Sequence, residues 1–343
     1  TNAHVAVWEG HKLTKSEATA VTGIDNVQWT ADFEASFLEL AKQVENIYIN
    51  TNEHYRAKLE TQTREDRFIA WCKEQFPKKN YEKSNFILQG LRGVKDPEEI
   101  AHIQQACDIT EKGFKRVLGF VTPGVWEFEI EAEFAHIFLR NRSKGFAYTP
   151  IIASGANSNV LHYIENSQQC QAGELILIDV GAEYGNYSSD MTRTIPVSGR
   201  FTPRQRAVYD AVLKVKDEAT QLLMPGVLWK AYHIEVGKLM SSALVDIGLL
   251  TKKEVSDNAE AYKKYFMHGT SHHLGLDTHD YGLLDKPMQA NMVFTVEPGI
   301  YIPDEGFGIR LEDDVVVQAT GAPVNLMANI PIDPDEIEAL MNP

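Results

Sequence analysis

Apolar residues recur at helical spacing in several segments of the chain, and some of these segments carry a clear start signal. In residues 64–75, the side chains of Phe68, Trp71 and Cys72 fall on one helical face. Asp96 followed by Pro97 predicts a helix start, because an N-cap acceptor and a first-turn proline both favour one. Helices are predicted at 36–43, 64–75, 97–121, 127–141, 202–224 and 231–247, with shorter ones near residues 15 and 260.

Short apolar runs between the helices predict strands. These runs lie at 46–49, 85–88, 148–154, 175–180, 292–296, 301–302, 308–311 and 315–318. The elements follow one another without a simple strand–helix–strand repeat, so we expect a mixed α+β fold. The apolar spacing that predicts helices and strands becomes clearer after Gly93. We therefore place a domain boundary near residue 92, between residues 1–91 and residues 92–343.

Carboxylates occur where apolar side chains would be expected. Asp179 lies near the end of the apolar run 175–180, and Asp190 follows eleven residues later, across a glycine-containing turn. A hairpin would bring the two aspartates side by side. Buried carboxylates are costly unless they are paired, hydrogen-bonded or bound to metal. The alternative for Asp190 is an ion pair with Arg193 at the surface.

Two glutamates occupy similar positions later in the chain. Glu297 directly follows the apolar run 292–296, and Glu312 alternates with Arg310 on one face of a predicted strand. We expect Asp313 and Asp314 to face solvent or to pair locally. Arg310 could orient Glu312 or contact a peptide, or it could form a structural ion pair. Acidic residues on three strands of one domain indicate a bound cation.

Four histidines lie between positions 268 and 279. Spacing alone does not decide whether His268, His272 or His273 is a metal ligand, and His162 is a further candidate for the site. An oxygen-rich set with one imidazole suits Mn²⁺ or Co²⁺ and disfavours a closed zinc site. Five ligands of this kind can hold two metal ions about 3.5–4 Å apart.

Charge and cysteine content narrow the class of protein. The formal net charge is −15, which makes nucleic acid and anionic membranes poor partners. No apolar run approaches the roughly 18 residues of a membrane helix, and no signal-peptide pattern opens the chain. The three cysteines are widely spaced, which argues against a disulfide scaffold. We therefore predict a cytoplasmic protein.

Together these segments resemble the pita-bread-fold metallopeptidases, a family that contains methionine aminopeptidase, aminopeptidase P, prolidase and the metal-free creatinase. The likeness covers residues 92–320, and the family pattern selects His272 among the clustered histidines. The family's ligand order of Asp, Asp, His, Glu and Glu is matched by Asp179, Asp190, His272, Glu297 and Glu312.

The likeness is greatest to aminopeptidase P, in residues 152–166, 201–210 and 274–280. It implies a pita-bread catalytic domain at 92–343 and a smaller α/β N-terminal domain at 1–91, which looks like only the later part of its family counterpart. It also implies a hydrolase that removes the residue preceding a proline. Two divalent ions are implied, Mn²⁺ first with Co²⁺ and Zn²⁺ as alternatives, together with a homodimer or homotetramer.

The same resemblance implies roles for individual side chains. His279 matches a histidine that contacts substrate and steadies the tetrahedral intermediate, and His162 matches a second substrate-side histidine. His268 falls where proline-specific members carry an auxiliary histidine. Metal-activated hydroxide is expected to attack the scissile carbonyl, while Glu297 relays a proton to the leaving proline nitrogen. Arg310 is a further candidate catalytic residue.

Other members of the family supply the alternatives. A prolidase would use the same ligands but would cleave only dipeptides. Methionine aminopeptidase usually lacks an N-terminal domain of this kind. A creatinase-like or non-catalytic relative would be expected to lose metal ligands, and none of the five is lost here.

Overall fold

The computed structural model describes residues 12–51 and 61–342. Contacts divide the chain into two compact units, Thr1–Phe86 and Ile87–Pro343. The strand predicted at 85–88 is wrong, because these residues open the helix Asn85–Gly93. A short apolar run fits a strand or a helix, and here apolar side chains continue to Leu91 at helical spacing.

In the first unit, β1 (Asn46–Ile49) pairs in parallel with β2 (Asn80–Lys83), a polar strand that the sequence pattern did not predict. The predicted helix Arg64–Gln75 is confirmed, and the hydroxyl of Thr63 caps it by accepting from the backbone N–H of Asp66 at 3.0 Å. Two further helices span Lys15–Thr22 and Phe33–Ala41. The small apolar core of this unit contains Ala41, Ile47, Ile49 and Cys72.

The predicted long helices of the second unit are confirmed, with ends that differ by a few residues. Asp96 caps the first of them by accepting from the backbone N–H of Glu99 at 2.9 Å. The short helix expected near residue 260 lies earlier, at Lys252–Asp257, and a 3₁₀ turn at Ala261–Lys264 follows it. None of the described helices combines the length and apolar character needed to cross a membrane. The long helices of this unit are Pro97–Leu118, Glu127–Arg140, Pro203–Gln221 and Trp229–Asp246, and a shorter one spans Pro334–Met341.

A three-stranded antiparallel sheet carries the first pair of acids. Its order is β3 (Ile151–Ser154), β4 (Leu175–Val180) and β7 (Met191–Pro196). Asp179 in β4 lies opposite Thr192 in β7, so the hairpin predicted from the glycine-containing turn is confirmed. The tip of this hairpin holds the short pair β5 (Glu183–Tyr184) and β6 (Tyr187–Ser188).

A second group of strands carries the two glutamates. β8 (Val293–Val296), β11 (Asp313–Val316) and β12 (Val324–Asn325) form a sheet in the order β12–β11–β8. The hairpin of β9 (Gly299–Ile302) and β10 (Phe307–Arg310) lies between β8 and β11 in sequence. One continuous apolar core joins the sheets to the helices, and its fully buried members include Ile103, Phe114, Phe134, Phe138, Ile178, Val212, Val236, Phe294 and Val315.

Candidate metal centre

The strand ends place Asp179 and Asp190 next to each other. Asp179 is 8% exposed and Asp190 is 5% exposed. The hydroxyl of Tyr148 lies 2.5 Å from an oxygen of Asp179 and 2.6 Å from an oxygen of Asp190, so it bridges the two carboxylates. The surface ion pair considered for Asp190 is wrong, because the fully buried Arg193 pairs with Asp313 instead.

His272 and Glu312 join this pair from two other segments. Asp190, His272 and Glu312 each offer one ligand atom, and these three atoms lie within 4.8 Å of one another. The Nε2 atom of His272 is 3.4 Å from Asp190 and 3.7 Å from Glu297. Its Nδ1 atom lies 2.9 Å from the carbonyl oxygen of His273, and this contact aims Nε2 at the carboxylates.

Arg310 contacts Asp179 directly and Glu312 through Thr192. Its guanidinium donates to Asp179 at 2.5 Å, to the hydroxyl of Tyr301 at 2.8 Å and to that of Thr192 at 3.1 Å. Thr192 in turn donates to Glu312 at 2.6 Å. Of the alternatives for Arg310, the structure contains the ion pair, formed with Asp179, and an indirect link to Glu312. A catalytic role for Arg310 stays a prediction.

Burial and mutual repulsion perturb the carboxylates. Burial raises the pKa of Glu312 well above its ordinary value, and the negative charges of Asp190 and Glu297 raise it further. Burial also raises the pKa of Asp179, and Asp190 adds to this while Arg310 opposes it. Four crowded carboxylates are thus opposed by the guanidinium of Arg310 and the imidazole of His272, and divalent cations would neutralise the remaining negative charge.

Burial and each other's charge perturb the pKa values of His272 and Glu297. Burial raises the pKa of Glu297 to about 7, although His272 opposes the shift. Burial alone would lower the pKa of His272, but its hydrogen bond to Asp190 and the charge of Glu297 raise that pKa to about 9. Four carboxylates and one imidazole form a donor set that suits hard to borderline divalent ions, so these residues fit a metal centre.

His268 lies on the other side of Glu297 from His272. Its Nδ1 atom is 3.6 Å from Glu297, and its Nε2 atom is 2.8 Å from the hydroxyl of Tyr301. Burial lowers the pKa of His268 to about 3, with the positive charge of Arg310 adding to the effect. The imidazole of His268 is therefore uncharged near neutral pH.

The remaining predicted histidines are exposed at the edge of the same site. The ring centroid of His279 is 4.2 Å from that of His272. His162 lies in an exposed segment, close enough to His268 for its charge to help lower that residue's pKa. The structure thus brings all the predicted site residues into one region, while their individual roles stay predictions.

Comparisons with known proteins agree with this geometry. Residues 101–319 match the model of Metallopeptidase family M24, and residues 1–48 match that of the aminopeptidase P N-terminal domain. The chain belongs to metallopeptidase family M24. The family expected from the five ligand positions is therefore confirmed.

Relatives within family M24 cover nearly the whole chain. The Xaa-Pro aminopeptidase of Escherichia coli is 35% identical over 98% of this chain and 79% of its own length. Human Xaa-Pro aminopeptidase 3 is 31% identical over 97% of this chain and 67% of its own length.

Solved structures similar to this chain give the same result for the fold. A putative aminopeptidase P from Bacillus anthracis has a TM-score of 0.91 at 33% identity, covering 99% of this chain and 80% of that one. Zinc-substituted E. coli aminopeptidase P in complex with product has a TM-score of 0.88 at 33% identity, with the same coverage of both chains. The predicted pita-bread fold is confirmed.

One expectation about this M24 site is corrected. Asp313 and Asp314 were expected to face solvent or to pair locally, but they are only 1% and 0% exposed. Asp313 accepts from Arg193 at 2.7 Å and from Lys216 at 2.5 Å, and both partners are distant in sequence. Asp314 accepts from the backbone N–H of Asp190 at 3.0 Å. Strand β11 is covered on both faces, so alternation along it does not separate buried from exposed positions.

Sequence reasoning missed two tyrosines of the M24 site. Tyr148 bridges Asp179 and Asp190, and Tyr301 joins His268 to Arg310. Both tyrosines lie in predicted strands, where a single tyrosine is usual. The residues around each one in sequence do not indicate which polar group its hydroxyl contacts.

Proposed function

We propose that this chain is a metal-dependent aminopeptidase that hydrolyses the bond between an N-terminal residue and a proline in the second position. The gathering of the five family ligand side chains carries the proposal. The three atoms from Asp190, His272 and Glu312 lie within 4.8 Å of one another, and Tyr148 bridges Asp190 to Asp179. The relatives named Xaa-Pro aminopeptidase support the specificity.

Two divalent ions, Mn²⁺ in the first instance, would be held by the five side chains. Bound there, such ions lower the pKa of a coordinated water and polarise a carbonyl oxygen. Tyr148 and Arg310 would keep Asp179 in place, because each holds one of its two oxygens. The ligands are Asp179, Asp190, His272, Glu297 and Glu312.

Glu297 would move a proton between the metal ligands and the substrate. Its Oε1 atom faces His272 at 3.7 Å, and its Oε2 atom faces His268 at 3.6 Å. A carboxylate that spans these two sides can hold a proton on one oxygen and deliver it toward the leaving nitrogen of proline. His268 remains uncharged because burial lowers its pKa to about 3, so it does not compete for a second proton.

The three histidines outside the ligand set would bind the peptide. His279 lies beside His272 and would donate to a developing oxyanion. His162 and the uncharged His268 would border the pocket for the proline ring. This arrangement would orient a peptide so that its first peptide bond faces the metal ligands.

Assembly and location are further parts of the proposal. A homodimer or homotetramer is supported by the resemblance to aminopeptidase P, and light scattering of the purified chain tests it. A cytoplasmic location is supported by the three cysteines, all in the described part of the chain, which are buried and not joined in disulfides.

The specificity is tested with three peptides, Ala-Pro-Ala, Ala-Pro and Ala-Ala-Ala, each incubated with the Mn²⁺-loaded protein and followed by mass spectrometry. We expect alanine to be released from Ala-Pro-Ala and no cleavage of Ala-Ala-Ala. Asp190→Asn should abolish the release, whereas Asp210→Asn at an exposed carboxylate should not change it. Cleavage of Ala-Pro alone would indicate a prolidase, and cleavage of Ala-Ala-Ala would contradict proline specificity.

A further inference from the structure

Glu127 is a buried carboxylate that lies outside the metal centre. It is the first residue of the helix Glu127–Arg140 and is 0% exposed. No Lys, Arg or His of the described residues forms an ion pair with it. A carboxylate in such surroundings is costly to bury, so its hydrogen bonds must offset the loss of water.

All the donors to Glu127 come from one neighbouring segment. Its Oε1 atom accepts from the backbone N–H and the hydroxyl of Ser154, both at 2.7 Å. Its Oε2 atom accepts from the hydroxyl of Tyr163 and the backbone N–H of Gln168, both at 2.8 Å. Residues 155–168 are named here the His162 loop. The donors lie directly before this loop, at Ser154, within it, at Tyr163, and at its end, at Gln168.

A helix-capping role does not account for Glu127. The backbone N–H of Trp126 at the start of this helix is already satisfied by Glu129 at 2.8 Å. The bonds of Glu127 reach instead across to the end of β3 and to the far end of the His162 loop. The carboxylate therefore fastens the loop to the body of the catalytic unit.

The His162 loop is also fixed at two further points. Asn166 accepts from the backbone N–H of Ile152 at 2.9 Å. Ser158 accepts from the backbone N–H of Gly308 at 2.7 Å, a close approach, because a Cβ at Gly308 would lie 2.6 Å from the carbonyl oxygen of Ser158. Between the anchors Ser158 and Asn166, the residues Val160, His162, Ile164 and Glu165 are exposed.

Tyr163 sets the direction in which that part of the loop points. It is 7% exposed and turns inward to Glu127, whereas its neighbours His162 and Ile164 are exposed. The inward hydrogen bond of Tyr163 thus fixes the backbone from which the imidazole of His162 projects.

We propose that Glu127 is a positioning residue for the peptidase reaction, which holds His162 at the substrate side of the site through Tyr163, Ser154 and Gln168. The inference rests on the proposed function. Glu127 therefore affects peptide binding and cleavage without touching the substrate or the metal.

A double-mutant cycle with Ala-Pro-Ala tests this role. Glu127→Gln keeps the shape but replaces one acceptor oxygen with a donor, so we expect kcat/KM to fall about tenfold with bound metal unchanged. In the His162→Ala background, the same change should cost less than about twofold, because the positioned side chain is already absent. Glu133→Gln is the matched control and should have no effect, because this half-buried acid on the same helix pairs with Arg116 and not with the loop. An equal loss in both backgrounds would overturn the proposal.

Hydrogen exchange gives a second measurement that does not depend on activity. Exchange in residues 155–168 should speed up in Glu127→Gln but not in Glu133→Gln, and unchanged exchange would overturn the proposal. If the native chain leaves Ala-Pro-Ala intact while exchange responds as expected, the proposed function fails and the anchoring of the loop stands. If Glu127→Gln does not fold, Tyr163→Phe replaces it, with an expected loss of about threefold that vanishes in the His162→Ala background.

Discussion

Arg193 makes the largest set of buried polar contacts beside the metal centre, and removing it should be costly. Its side chain is 0% exposed and pairs with Asp313 at 2.7 Å. It also donates to the carbonyl oxygens of Glu312 at 2.7 Å and Pro331 at 2.9 Å. The guanidinium therefore joins β7 to β11 and to the segment that precedes the last described helix.

In Arg193→Met, the carboxylate of Asp313 keeps Lys216 at 2.5 Å but loses its second cation. Burial by itself would raise the pKa of Asp313, and at present Lys216 and Arg193 hold it well below its ordinary value. Removing one partner of a buried ion pair costs about 3–5 kcal/mol, and the abandoned carbonyl groups add to this cost. We therefore expect the free energy of unfolding to fall by about 4 kcal/mol.

Urea unfolding, followed by tryptophan fluorescence, measures this loss as a shift of the midpoint by about 1 M or more. The matched control is Arg206→Met, because Arg206 pairs with Asp210 and Asp335 at the surface. Such exposed pairs contribute about 0–1 kcal/mol, so the control should unfold close to the native midpoint. A loss below about 1 kcal/mol in Arg193→Met would show that the buried network does not stabilise this part of the fold.

Further predictions follow from metal binding and from two close contacts. Removal of divalent metal by a chelator should lower the thermal midpoint, and free Mn²⁺ at 100 times its Kd should restore about 2.7 kcal/mol; an unchanged midpoint in calorimetry would contradict this. Gly282→Ala would place a Cβ 1.9 Å from the Nε2 atom of His273, so urea unfolding should show a loss of stability of more than about 2 kcal/mol. Gly119→Ala is the control and should not lose this stability, because its Cβ would meet no atom closer than 3.8 Å. In the native chain the Nζ atom of the buried Lys95 is 3.4 Å from a carboxylate oxygen of Asp280. Asp280→Leu removes this carboxylate and should cost about 3 kcal/mol of stability in the same assay. Near-native stability of the variant would argue against this ion pair.

The acidic part of the site could be predicted from local sequence because its physical signal is local. Asp179 and Glu297 lie in or directly after apolar strands, where a carboxylate is unusual enough to indicate a ligand. The glycine-containing turn before Asp190 predicted the hairpin that brings it to Asp179. These features depend on neighbours in the chain, so a single sequence contains them.

Other parts of the site depend on contacts between distant segments. The spacing of His268, His272 and His273 is compatible with several ligands, and only the family pattern and then the fold separate them. The burial of Asp313 could not be predicted because Lys216, its partner, lies far away in sequence on another element. The strand predicted at 85–88 failed for a related reason, since a short apolar run does not distinguish a strand from a helix.

Five side chains from separate strands and loops are proposed to hold metal for peptide hydrolysis. The most direct measurement is the amount of Mn²⁺ retained by the purified chain after equilibration, determined by elemental mass spectrometry. We expect about two equivalents in the native protein and fewer than about one in Asp190→Asn, with the native amount in Asp210→Asn. A native chain that retains almost no Mn²⁺, or an Asp190→Asn variant that retains the native amount, would contradict the proposal.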